Sequence, residues 1–224
     1  MFIKRLPGFY WLVSLLMAQS LFAYAQPLMV NPWLAQIEYF EQLDSVHPPP
    51  TNAVLFLGSS SIRLWSSLQL DFPNAVVINR GFGGSEISDS VFFFEQIVAP
   101  YQPRLIIFYA GENDIAHGKT PQQVLDDFKA LVQKVQTELP NTTLAFISIK
   151  PSPARAGVRP AVALANQLIA EFIETQERLV YVDVFTPMLA ADGSPRIELF
   201  IDDGLHMNSL GYQLWVEQLR PLFQ

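Results

Sequence analysis

Five short, continuous apolar runs separated by stretches of helical periodicity constrain the fold of this chain more than any other feature. The runs cover residues 53–57, 75–78, 105–110, 143–149 and 179–184. A strand that shows one face to water alternates apolar and polar residues. A continuous run marks a strand buried on both faces. Between the runs, residues 87–98 carry apolar side chains at helical spacing. Thr120-Pro121 caps and opens a helix reaching about Leu139, with Val124, Phe128, Leu131 and Val135 on one face. Residues 161–176 and 210–219 read as further helices. Asn31-Pro32 opens an earlier one, whose buried stripe is Trp33, Ile37, Phe40 and Leu43. Strands alternating with helices imply an α/β fold, a parallel five-stranded sheet with helices on both faces. The 224 residues, half of them apolar, suit one core rather than two. Neither a repeat nor a long linker interrupts them.

The N-terminus has a different character. Lys4 and Arg5 precede apolar stretches at 9–18 and 21–25, which end in Ala23-Tyr24-Ala25. That layout is a secretory signal peptide, with cleavage expected after Ala25 and a single domain over 26–224. An uncleaved anchor is the alternative, although Ser14, Gln19 and Ser20 make the stretch marginal for spanning a bilayer. The expected location is periplasmic or secreted, with no stable membrane insertion after cleavage. Cleavage removes two of the 14 basic side chains and none of the 21 acidic ones, taking the net charge from −7 to −9. So acidic a chain is a poor partner for nucleic acid, which needs a basic face. The chain has no cysteine, which excludes disulfides, thiolate metal sites and cysteine nucleophiles. Acidic surface and length fit a monomer without excluding a dimer.

In an open parallel sheet, ligands sit beyond the carboxyl ends of the strands. Gly58-Ser59-Ser60-Ser61 follows the first run, and serines at such a turn equally describe a helix cap. The stretch is not the G-x-S-x-G elbow. Asn79-Arg80-Gly81-Phe82-Gly83-Gly84-Ser85 follows the second, where glycines serve a tight turn or expose N–H groups to an anion. Gly111-Glu112-Asn113-Asp114 follows the third. Before the last helix stands Asp202-Asp203-Gly204-Leu205-His206, readable as a cap or as an Asp–His pair. Of the other histidines, His47 sits in a proline-rich connector and His117 in a polar loop, both expected in solvent. No cluster has metal-ligand spacing. Each signal is weak alone. Together they supply a nucleophile, backbone donors, an amide donor and an Asp–His pair, the set that acyl transfer requires.

At these residues the sequence resembles the SGNH (GDSL-type) hydrolase superfamily. Its blocks appear in order as residues 56–60, residues 79–84, Gly111-Glu112-Asn113-Asp114 and Asp203-Gly204-Leu205-His206. Ser59 stands where the family commonly has Asp. The resemblance implies a three-layer α/β/α, flavodoxin-like fold and a serine esterase with Ser60, Asp203 and His206 as catalytic residues. Ser59 and Ser61 are the fallback nucleophiles. The resemblance also implies an oxyanion hole from Ser60, Gly84 (Gly83 second) and Asn113. No cofactor or metal is implied. Short connections with no lid suggest a shallow site for a small acyl group, such as an acetyl ester of a sugar or glycan. A lysophospholipase or thioesterase, and a degenerate glycan- or lipid-binding module, are the alternatives. Trp65, Arg155 and Arg159 are candidates for substrate contact, with Trp65 equally a core residue and the arginines equally solvated.

Overall fold

A computed structural model describes residues 31–223. The expected signal segment, its cleavage point and the start of the expected domain at Gln26 lie outside the described residues. From Trp33 onward the chain forms one compact unit.

Strands β1 (Val54–Gly58), β2 (Val77–Gly81), β3 (Leu105–Tyr109), β4 (Thr143–Ile147) and β5 (Leu179–Val182) form one sheet in the order 2-1-3-4-5. Every pairing is parallel. This is the flavodoxin-like order, and it reverses direction at β1 and β3. All five residues of β1 and of β3 are buried, as their continuous apolar runs require.

The period of two sends alternate strand residues to opposite cores. Leu55, Leu57, Ile106, Phe108, Leu144 and Phe146 pack against α1 (Leu34–Val46), α4 (Ile87–Phe92), α5 (Phe94–Ile97), α7 (Pro121–Glu138) and α8 (Arg159–Glu174). Val54, Phe56, Leu105, Ile107, Ala145 and Ile147 pack on the other face. There they meet α2 (Ser60–Arg63), α3 (Leu68–Asp71) and α9 (Ser209–Leu219). A further short helix, α6 (Glu112–Ala116), comes after β3. The architecture is therefore α/β/α, as expected.

Several boundaries differ from those the sequence predicts. β2 starts two residues late and runs through Asn79 and Arg80, because tertiary partners offset their poor strand propensity. Arg80 donates from Nε to the Tyr101 hydroxyl at 2.6 Å and pairs through Nη2 with Asp44 of α1. The expected helix over 87–98 breaks at Phe93 into α4 and α5. Phe93 and Phe94 are both buried, and adjacent residues of one helix point about 100° apart. Leu43, expected in the buried stripe of α1, is 40% exposed, whereas Ile37 and Phe40 are buried.

Candidate active site

β1 ends in a sharp exit. Gly58 has φ +138°, and a Cβ there would lie 1.9 Å from the Tyr109 carbonyl oxygen of β3. The next N–H, of Ser59, donates to that same oxygen at 2.9 Å. Only glycine allows the strand to turn this tightly against its neighbour. Ser60 therefore becomes the first residue of α2, at the carboxyl edge of the sheet. Asn79 of β2 ties α2 down, donating from Nδ2 to the Ile62 carbonyl at 2.8 Å and accepting from the Gly81 N–H at 2.9 Å. From α9, Tyr212 donates its hydroxyl hydrogen to the Ser61 carbonyl at 2.9 Å.

The Asp203–His206 loop hangs between β5 and α9, closed by a bridge from Phe200 to Met207. Asp203 Oδ1 accepts the N–H groups of Leu205 and His206, both at 2.8 Å. Its Oδ2 lies 2.6 Å from His206 Nδ1, and His206 Nε2 lies 3.0 Å from Ser60 Oγ. A carboxylate can only accept, so Nδ1 carries the imidazole hydrogen and Nε2 faces the serine hydroxyl as an acceptor. Slight burial pushes the Asp203 carboxyl up. The hydrogen bonds from the His206 N–H, the His206 ring and the Leu205 N–H together outweigh it, and hold the carboxyl down at about 2. Helix capping does not account for this loop, because α9 is capped by Asn208, whose Oδ1 accepts from Leu210 and Gly211.

Among Ser59, Ser60 and Ser61, only Ser60 Oγ reaches the histidine. Ser59 and Ser61 are both buried, and Ser61 Oγ lacks a hydrogen-bond partner among the described residues. Gly84 has φ +82° and is exposed. The N–H groups of Ser60 and Gly84 have no acceptor among the described residues. Asn113 is nearly buried; its Nδ2 donates to the Ser85 carbonyl at 2.9 Å, and its Oδ1 accepts from Arg155 Nη2 at 2.9 Å. Asp114 is fully buried, accepting from the Ile87 N–H and from Lys119 at 2.9 Å, so it fixes the glycine loop to α6. Burial raises its carboxyl, and the Lys119 bond and charge lead the opposing contributions.

Behind the site lies a buried ionic cluster that sequence reasoning missed. Glu112 Oε2 takes a short contact from Lys150 and accepts from the Tyr109 hydroxyl at 2.9 Å. Lys150 is 1% exposed. Burial pushes its ammonium down, against the pull of Glu112, and pushes the Tyr109 hydroxyl well up. A lone lysine at the end of the apolar run over 143–149 was the available signal. Trp65 is 2% exposed and bonds Asp71 through Nε1 at 2.6 Å, which makes it core rather than substrate contact. Arg159 begins α8 and makes no hydrogen bond to the site residues. His47 and His117 are exposed, as expected, the latter 2.7 Å from Glu86. Among the described residues, no group of three or more His, Asp or Glu side chains is placed to hold a metal.

A family model for GDSL-like lipases and acylhydrolases matches residues 56–214, which spans the Ser60 turn, the glycine loop and the Asp203–His206 loop alike. The chain belongs to the GDSL-like lipase/acylhydrolase family. This family member is accordingly a serine hydrolase acting on ester bonds. It is 24% identical over 168 residues to the platelet-activating factor acetylhydrolase IB subunit alpha1 of Bos taurus, covering 71% of this chain and 69% of that one. A GDSL-like lipase from Bacteroides thetaiotaomicron has the same fold, with TM-score 0.71, 18% identity and coverage of 84% and 97%. So does a carbohydrate esterase family 3 protein from Talaromyces cellulolyticus, with TM-score 0.60, 17% identity and coverage of 75% and 94%.

Proposed function

We propose that this hydrolase removes small acyl groups, acetyl above all, from an alcohol such as a sugar hydroxyl, with Ser60 as nucleophile. The observation that carries the reading is the hydrogen-bonded chain Ser60–His206–Asp203, at 3.0 and 2.6 Å. In this mechanism Ser60 Oγ attacks the ester carbonyl carbon while His206 Nε2 takes its proton. The same proton then passes to the departing alcohol oxygen as the tetrahedral intermediate collapses to an acyl-enzyme. Water, deprotonated by His206, releases the acid and restores Ser60. Asp203 keeps the imidazole in the required tautomer and stabilises the imidazolium. The free N–H groups of Ser60 and Gly84, with the Asn113 amide, form the oxyanion hole in this account.

The preference for a small acyl group is supported by a site open to water. The side chain of Asp203 is 42% exposed and that of His206 22% exposed. One residue separates β1 from α2 and two separate β3 from α6, so neither of these turns walls in a long chain. A relative named as an acetylhydrolase and a fold neighbour named as a carbohydrate esterase fit the same reading. Rates on p-nitrophenyl acetate, octanoate and palmitate, together with acetate release from acetylated sugars, test it. The expected order is acetate well ahead of octanoate and palmitate. A preference for the long chains would transfer the assignment to a lysophospholipase or thioesterase.

A further inference from the structure

Two features of Asn113 are unusual for a side chain at an active-site rim. Its carbonyl oxygen is occupied by an arginine, and that arginine also faces a buried ionic cluster. Arg155 lies in the 3-10 segment Pro153–Val158 beyond β4, and its Nη2 donates to Asn113 Oδ1 at 2.9 Å. On the other side, Asn113 Nδ2 donates to the Ser85 carbonyl at 2.9 Å. A guanidinium only donates and a backbone carbonyl only accepts, so one of the two possible amide orientations survives. That orientation keeps the NH2 group toward the glycine loop and leaves its second N–H available.

The guanidinium also approaches a buried carboxylate. Arg155 Nη1 is buried, makes no hydrogen bond among the described residues, and lies 4.0 Å from Glu112 Oε1, which is equally without one. The other carboxylate oxygen of Glu112 is taken by Lys150 and by the Tyr109 hydroxyl. Buried ion pairs often gain little stability over apolar replacements, so folding alone is a weak reason for this one. Its position is more telling. Glu112 is the residue before Asn113, and Lys150 and Arg155 both come from the chain just beyond β4.

We propose that Arg155, seated by the Glu112–Lys150 pair, is a positioning residue that fixes the orientation of the Asn113 amide and strengthens its N–H as a donor. A cation bonded to an amide oxygen draws electron density from the nitrogen, and bonded chains in a low-dielectric site reinforce one another. The inference rests on the proposed oxyanion role of Asn113. Arg155 makes no hydrogen bond to Ser60, His206 or Asp203.

The test is a double-mutant cycle of Arg155→Met and Asn113→Ala on p-nitrophenyl acetate, a neutral ester. Arg155→Met is expected to lower kcat about tenfold or more with KM within about twofold, and to cost less than about twofold once Asn113 is already alanine. Arg155→Lys, which keeps a donor and a charge, should recover part of kcat, and it stands in for the methionine variant if that one does not fold. Loss of the Arg155 bond should also shift the side-chain 15N–1H signals of Asn113, which a remote structural defect would not single out. Equal losses from Arg155→Met in both backgrounds, or a raised KM with kcat unchanged, overturn the proposal. If Asn113→Ala alone leaves kcat untouched, the oxyanion assignment itself fails, which is a separate result.

Discussion

At the residue scale, Asp203 carries a role its exposure would not suggest. Its carboxyl is pushed from 3.8 down to about 2 by the hydrogen bonds that organise the loop. A depressed folded value means these interactions are complete above about 3.8 and are lost as pH falls through about 2. An NMR titration of the Asp203 carboxyl should therefore find a midpoint near 2, and any acid loss of activity above about pH 4 must come from another group. Asp203→Asn keeps the shape of the loop but exchanges an acceptor-only group for one that favours the wrong tautomer. A fall in kcat of about 10³–10⁴ is expected, measured by initial rates on p-nitrophenyl acetate. Asn113→Ala should cost about 10²–10³, mainly in turnover.

At the element scale, the site is assembled from the turns at the carboxyl ends of the strands, and those ends are where the sequence was most and least readable. Continuous apolar runs located β1 and β3 closely because both are buried on both faces. The Gly58 exit and the D-x-x-H loop were legible because each is a contiguous motif. The short helices α2, α3 and α6 were not, since four or five residues are too few to show a helical period. Nor was the extension of β2 through Asn79 and Arg80, whose partners Ile62, Asp44 and Tyr101 are distant in sequence. The Glu112–Lys150 pair was not legible as a pair for the same reason, because its members lie just beyond two different strands, Glu112 at the start of α6 and Lys150 after β4. Removing one member of a buried pair strands the other charge. Lys150→Met should therefore destabilise by roughly 3–5 kcal/mol in urea unfolding. Gly58→Ala meets a backbone oxygen that cannot retreat without breaking the β1–β3 ladder, and should yield little folded protein.

At the scale of the whole molecule, the two cores divide the labour. The larger packs α1, α4, α5, α7 and α8 on one face of the sheet, away from α2. The smaller is rich in aromatic rings and carries Ile62 and Trp65 beside α9 residues Tyr212 and Trp215. Helix α2, which Ser60 opens, and α9, which follows the Asp203–His206 loop, thus share one apolar foundation. Ser60 and His206, 146 residues apart, thereby meet at 3.0 Å. Export, the expectation drawn from residues 1–25, belongs to this scale too. Intact-mass analysis of the protein from its native host should give a chain starting at Gln26. The central claim, that Ser60 is the nucleophile activated by His206, is tested most directly by labelling with a fluorophosphonate and mapping the adduct by peptide mass spectrometry. A single adduct on Ser60 that disappears in His206→Ala is expected. An adduct on Ser59 or Ser61, or none on a protein that still hydrolyses esters, would contradict it.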